Sequence, residues 1–305
     1  MKKIVFLVGA GRSGSTVLCK SIGSHLDGFA ISELSKLKQL FEENSHCSCG
    51  KYYQECPFWR EMLAEYVNKH EKSDIPTFEI NRGNILNKFM FSCKYYLNID
   101  CKIHENNTIL KTFDIYEKIF NKTDADFLVD ASKEIYRALM LSKLAKDKGI
   151  KCFFIFLTRD GRSVINSSMK KVQKLNWRNK TLSLADSGSS FWVAMKAWFV
   201  VNLRTFLLCN LLLKDEFIII KYEEFVKHPV EKLKSISRFI GVEYSDDMTC
   251  LDNKTHHMMG GNASRINAKE IKSFSVKWDN LNTSNRISFS ILAGWLNKIL
   301  GYSSY

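Results

Sequence analysis

The sequence predicts an α/β fold in one domain, with a central parallel sheet and helices on both faces. Short apolar runs rich in branched and aromatic residues alternate with longer helical patterns, the signature of strands joined by crossover helices. The first run, IVFLV at Ile4 to Val8, passes directly into a glycine loop, GAGRSGST at residues 9–16. The 305 residues are 45% hydrophobic and 25% charged, with three prolines and no Gly/Ser-rich or charged linker to divide them, so residues 1–305 read as a single domain.

The expected strands are Ile4–Val8, Phe29–Ile31, Phe127–Val129, Cys152–Leu157 and Phe217–Ile220. The expected helices are Ser15–Leu26, Glu134–Lys148, Ser163–Lys171, Phe191–Leu213 and Val230–Ile240. Residues 44–124 break this rhythm. They carry Cys47, Cys49 and Cys56 and amphipathic stretches at Glu61–His70 and Ile85–Leu97. They read as a helical and loop insertion over the carboxyl ends of the strands, where open α/β sheets bind ligands. Ile287–Leu300 reads as a packing helix. Phe191–Leu213 is the most apolar long stretch, but Lys196, Asn202, Arg204 and Asn210 interrupt it, which predicts a buried helix and no transmembrane segment.

The net charge of +13 suits an anionic ligand or surface, and leaves room for peripheral membrane contact. No basic cluster is interleaved with aromatics, so nucleic acid is not an expected partner. The apolar start of MKKIVFLVGAG is about five residues long and feeds the glycine loop, unlike a secretory leader. Nine scattered cysteines, an odd number, fit a reducing, cytoplasmic setting.

The glycine loop makes the fold P-loop-like and admits three readings. Gly9, Gly11 and Gly14 spell a dinucleotide fingerprint, with Glu33 19 residues after Gly14 to take a ribose hydroxyl, but Arg12 crowds that turn. Gly9, Gly14 and Ser15-Thr16 spell a nucleoside-triphosphate loop with serine in place of the lysine that a γ-phosphate needs. The third reading is a loop of backbone N–H groups at a helix N-terminus that holds a 5′-phosphosulfate, with Arg12 as its cation and no Mg²⁺.

A second motif favours the third reading. KCFFIFLTRDGRSVINS, at residues 151–167, is a buried strand followed by Arg159, with Ser167 eight residues later. An arginine at the end of a parallel strand faces the ligand crevice, and a fork plus a hydroxyl suits a second, separate phosphate. With both motifs in place, the sequence resembles the sulfotransferases that use 3′-phosphoadenylyl sulfate (PAPS), in the bacterial, carbohydrate and tyrosylprotein branch. GRSGST resembles their 5′-phosphosulfate loop and RDGRSVINS their 3′-phosphate motif. IIIKYEEFVKHPVEKLKSISRFIGV at residues 218–242, HCSCGKYYQECPFW at residues 46–59 and HMMGGNASR at residues 257–265 extend the likeness along the chain.

The resemblance implies transfer of a sulfuryl group from PAPS to an acceptor hydroxyl, with release of adenosine 3′,5′-bisphosphate and no metal requirement. Gly11, Arg12, Ser13, Gly14, Ser15 and Thr16 would hold the phosphosulfate, and Arg159 and Ser167 the 3′-phosphate. Tyr222, Asn262 and Arg265 would contact or close over the nucleotide. Which of Arg265, Lys269 and Lys272 reaches a phosphate stays open. Glu33 takes the place of the family's catalytic glutamate, and its pKa should be lowered by nearby cations and raised by burial. Lys133 takes the place of the lysine at the leaving phosphate, with Asp130 orienting it and Arg12 supporting the transferring group.

The acceptor has no motif. Tyr52, Tyr53, Phe58, Trp59, Tyr95 and Tyr96 give the insertion an aromatic, mixed-charge character compatible with a glycan, a lipid headgroup or a phenol, of which a glycan or glycolipid hydroxyl is the expected acceptor. A nucleotide or metabolite kinase and a non-catalytic nucleotide-binding module are the competing classes. Cys47, Cys49 and Cys56 allow zinc with His46 as fourth ligand, but C-x-C-x₆-C lacks the usual paired knuckles, so loop packing or a disulfide is expected there. His256 and His257 read as loop residues, and Trp278 as packing.

Overall fold

The computed structural model describes residues 1–68, 107–170, 172–177, 180–185, 188–262, 264–272 and 281–303, with Met90, Cys93, Lys94 and Tyr96. Most of the expected helix Ile85–Leu97, together with Tyr95 and Trp278, lies outside the described residues.

Five strands form one parallel sheet: β1 (Lys3–Val8), β2 (Gly28–Ser32), β3 (Phe127–Lys133), β4 (Lys151–Thr158) and β7 (Phe217–Lys221), in the order β2-β3-β1-β4-β7. β1 and β4 are apolar on both faces because both faces are covered, whereas the edge strand β7 leaves Ile219 exposed. Along β1, Ile4, Phe6 and Val8 enter one core cluster, and Val5 and Leu7 enter the other. The second cluster is closed by α1 (Ser15–Gly23), which contributes Leu18, Cys19 and Ile22, and by a helix over Pro229–Ile240, which contributes Leu233, Ile236 and Ile240.

The helices number from α1 through α2 (Leu37–Glu42), α3 (Pro57–Asn68), α4 (Asn107–Thr123), α5 (Ile135–Asp147), α6 (Gly161–Met169) and α7 (Phe191–Leu208). They continue with α8 (Tyr222–Lys227), α9 (Pro229–Ile240), α10 (Ser264–Asn267), α11 (Thr283–Leu292) and α12 (Gly294–Ile299). A two-stranded antiparallel hairpin, β5 (Val172–Trp177) with β6 (Lys180–Ala185), follows α6.

Three expectations change. The insertion ends earlier than residue 124, because α4 buries Ile109, Phe113, Ile115, Tyr116, Ile119 and Phe120 in the main core. Its amphipathic face therefore completes the sheet cover instead of overlying the strand ends. The C-terminal helix is broken at Ala293, where Phe289 ends one buried face and Leu296 begins the next. The long apolar helix is regular only to Leu208 and continues as a π-helical turn, Cys209–Leu213.

The segment Phe191–Glu216 is long and apolar enough to cross a membrane by length and composition. In the fold it packs Trp198, Thr205 and Leu208 into the core, and its buried Asn202 accepts a hydrogen bond from the Ala10 N–H at 3.3 Å. The polar residue inside the apolar helix thus holds the start of the glycine loop.

Candidate functional site

The sheet order reverses at β1, and ligands of open α/β sheets collect beyond the carboxyl ends of the strands at that point. A crevice of about 450 Å³ opens there. Its walls include Arg12, Ser15 and Thr16 from the loop, Glu33 and Lys133 from the ends of β2 and β3, and Gly261 and Asn262 from a late segment.

The loop turns through two left-handed residues, Arg12 (φ 63°) and Gly14 (φ 89°), and the Gly14 carbonyl starts α1 by accepting from the Val17 and Leu18 N–H groups. A Cβ on Gly14 would lie 2.1 Å from the Tyr222 ring, so glycine is required by both backbone angle and close approach. Tyr222, expected at the end of β7, opens α8 and lies against the loop.

Arg159 occupies the other side of this contact. Its guanidinium is 4.6 Å from the centre of the Tyr222 ring and donates from Nη1 to the Arg12 carbonyl at 3.0 Å. The two arginines of RDGR have separate fates. Arg162 is buried and locked onto Asp160, with Nε 2.8 Å from Oδ1, while Asp160 caps α6 by accepting from the Arg162 N–H. Arg159 is left to face the loop. The Ser13 hydroxyl and Arg159 Nε are buried with no hydrogen-bond partner among the described residues. Buried polar atoms are normally paired, so a cradle carrying two orphans fits an anionic ligand. Ser167 is half-buried late in α6, and no hydrogen bond joins it to Arg159 among the described contacts.

The opposite wall joins the loop to the late segment. Asn262 accepts from Arg12 Nη1 at 3.1 Å, and its own N–H donates to Thr16 Oγ1 at 3.2 Å. Arg265 is buried and donates to the carbonyls of Gly261 (2.7 Å) and His46 (3.1 Å). It braces the wall. Lys269 and Lys272 line a separate groove beside Val17.

Glu33 and Lys133 meet because both strand ends are irregular. The register slips between Ala30 and Ser32 on β2, and between Phe6 and Val8 where β1 meets β3. Ser32 (φ 71°) and Lys133 (φ 69°) are left-handed, and such bulges re-aim side chains near functional sites. The Lys133 ammonium pairs with Glu33 Oε1, while Lys36 Nζ lies 2.7 Å from Oε2. Burial opposes ionisation of Glu33, but Lys133 and Lys36 outweigh it and hold the carboxyl down at about 2. Glu33 precedes a short 3₁₀ turn, Leu34–Lys36, and its side chain does not cap it.

Several expectations fail here for physical reasons. Asp130 does not orient Lys133. It is fully buried, pairs with Arg137 Nη1 at 2.8 Å and accepts from Tyr116, because burial demands a partner on its own side of the sheet. Tyr53, Phe58 and Trp59 are buried, and Tyr96 hydrogen-bonds to Glu216, so of the expected acceptor aromatics only Tyr52 is exposed among the described residues. The cysteine cluster holds free thiols and no disulfide. Its neighbour is His257, not His46, whose ring packs 4.2 Å from that of Tyr52. Lys36 and Asn202 were missed as site residues. Only the i, i+3 spacing from Glu33 to Lys36 and the isolated polarity of Asn202 in its helix signalled them.

Residues 151–246 match the Sulfotransferase family. No curated protein matches this sequence. Among solved structures, the chain resembles the sulfotransferase domain of the olefin synthase from Synechococcus PCC 7002, at 16% identity and a TM-score of 0.55, covering 99% of this chain and 97% of that one. It also resembles a sulfotransferase domain from the curacin biosynthetic pathway, at 17% identity and a TM-score of 0.52, covering 96% and 98%. The fold is therefore the P-loop-like α/β fold of sulfotransferases, and the matched segment holds Arg159 and Tyr222.

Proposed function

We propose that this chain, with a Sulfotransferase-family segment on a sulfotransferase fold, transfers a sulfuryl group from PAPS to an acceptor hydroxyl and releases adenosine 3′,5′-bisphosphate. One observation carries the reading: Arg159 bonds the carbonyl of Arg12, which joins a lysine-free phosphate loop to a second cation at a neighbouring strand end. Two phosphates on one nucleotide, a 5′ and a 3′, match two linked cradles. A triphosphate chain would instead require a lysine where Ser15 stands.

In this reading the loop amides and Arg12 hold the 5′-phosphosulfate, and Arg159, stacked on Tyr222, takes the 3′-phosphate. Asn262 keeps Arg12 in place. In-line sulfuryl transfer builds negative charge on the oxygen between phosphorus and sulfur, and the Lys133 ammonium stabilises it. While Lys133 remains on Glu33, the carboxylate is a weak base. As Lys133 turns toward the leaving phosphate, Glu33 loses its larger cationic partner, its proton affinity rises and it takes the proton of the attacking hydroxyl. Past Glu33 the crevice is lined by Lys36, Glu43, Ser45 and His46, a polar wall suited to a polyhydroxy acceptor such as a glycan or glycolipid headgroup.

The test compares thermal stabilisation by 3′,5′-ADP, without metal, with that by ATP plus Mg²⁺. A ligand at about 100 times its Kd adds about 2.7 kcal/mol. The larger shift is expected with 3′,5′-ADP, together with transfer of label from ³⁵S-PAPS to a glycan panel. A larger shift with ATP–Mg²⁺ would overturn the proposal in favour of a kinase.

A further inference from the structure

Cys47, Cys49 and Cys56 lie in one short segment, and the fold brings them a partner from 210 positions away in the sequence, His257. The Cys49–Cys56 and Cys47–Cys56 sulfur pairs are each 3.7 Å apart. His257 Nδ1 is 3.3 Å from the Cys56 sulfur and 3.9 Å from that of Cys47, and all four atoms lie within 4.8 Å of one another.

Tetrahedral zinc has Zn–S bonds of about 2.3 Å and Zn–N bonds of about 2.0 Å, which set S···S edges near about 3.8 Å and S···N edges near about 3.5 Å. The two S···S separations match their edge, and the S···N separations of 3.3 and 3.9 Å fall on either side of theirs. The sulfur pairs do not match a disulfide at about 2.05 Å, which would also leave one of the three sulfurs without a partner.

The frame around the four atoms is rigid. Gly50, left-handed at φ 87°, closes a turn in which its N–H donates to the Cys47 carbonyl, while the Cys47 N–H donates to Lys51. That turn carries Cys49 beside Cys47. The Cys56 N–H donates to the Tyr52 carbonyl, and Pro57 then opens α3. The His257 ring stacks on Phe58 at 5.0 Å and 10°, and Trp59 Nε1 donates to the His257 carbonyl at 2.8 Å. Cys47 and Cys56 are fully buried, which keeps solvent off two of the three sulfurs, while Cys49 is partly exposed.

We propose that Cys47, Cys49, Cys56 and His257 bind one structural zinc ion in a closed Cys₃His site. Three Zn–S bonds and one Zn–N bond form, the thiol protons pass to solvent, and no electron is transferred. The ion clips the 47–56 turn to the 256–262 strap. Ser48 also bonds this strap at the His256 carbonyl, and Tyr53 bonds it at Gly260. The strap extends the sheet beside β2 through paired hydrogen bonds of Met259 with Ile31 and Glu33, then supplies Gly261 and Asn262 to the crevice wall. Zinc would therefore hold the wall that positions Arg12, without touching the reaction.

The experiment measures metal in the full chain purified from zinc-replete cells without chelator. One zinc per chain is expected, released by a mercurial that caps thiols. Cobalt exchanged into the site should show intense thiolate-to-cobalt charge-transfer bands and tetrahedral d–d absorption. His257→Ala should lose most of the metal, while His46→Ala should retain it, separating the two histidines. Should His257→Ala fail to fold, the wild-type cobalt spectrum decides. Background zinc with no thiolate bands would overturn the proposal, as would a Cys47–Cys56 disulfide in the native protein. Loss of metal from His46→Ala but not from His257→Ala would overturn the ligand set.

Discussion

Replacing Glu33 by glutamine should separate stability, binding and turnover. The Glu33 carboxyl falls from its usual 4.5 to about 2, because Lys133 and Lys36 outweigh its burial. A carboxylate with a depressed folded-state pKa stabilises the protein above its unfolded pKa and loses that contribution as pH falls through the folded value. The full contribution is about 3 kcal/mol at neutral pH, and a little under half of it is gone by about pH 3.5. Glutamine cannot titrate. The stability gap between wild type and Glu33→Gln, read from urea unfolding, should therefore be largest near pH 6 and narrow by that amount at about pH 3.5. The substitution also removes the anion that neutralises Lys133 and Lys36, so 3′,5′-ADP should bind as tightly as to wild type or more tightly. Turnover from PAPS should fall by roughly 10²–10⁴, the usual worth of a positioned base. A stability gap constant with pH would refute the buried ion pair, and undiminished turnover would remove Glu33 from the chemistry.

Four further substitutions, the last of them also paired with Tyr222→Ala, probe the cradle and its support. Arg159→Ala should weaken 3′,5′-ADP far more than 5′-AMP, by about 1.5–3 kcal/mol in titration calorimetry, whereas equal losses would make Arg159 structural. Arg162→Ala should act on folding instead, lowering unfolding free energy by about 3–5 kcal/mol because it strands buried Asp160. Asp130→Asn should do the same through Arg137, with a similar loss in urea melts; a small loss would mean that the Asp130–Arg137–Tyr116 cluster is not the buried ion pair described. Gly14→Ala should lower Tm and abolish 3′,5′-ADP binding, and adding Tyr222→Ala should restore part of the stability by removing the 2.1 Å collision. No recovery in the double variant would place the defect in the backbone angle alone.

The strands and their order along the chain were legible because doubly covered parallel strands read as continuous apolar runs, a pattern that β1 and β4 carry plainly, while the edge strand β7 keeps the apolar run with Ile219 exposed. The glycine loop and RDGR were legible for another reason: each needs particular residue types at fixed local spacing. Position at the strand end singled out Arg159 for the crevice, but local sequence assigned Arg162 no role. The Asp160 cap captured Arg162, and the Tyr222 ring and the Arg12 carbonyl received Arg159. Pairings across the sheet were equally hidden. Asp130 and Lys133 are three residues apart, yet the bulge at the end of β3 leaves one inside with Arg137 and turns the other out to Glu33. The cysteine segment named three sulfurs, but its fourth partner came from a strap 201 positions beyond Cys56. Composition and local spacing determined which groups this protein has for holding anions. Strand register and chain reversal decided which of them face one another, because those depend on contacts between residues far apart in the sequence.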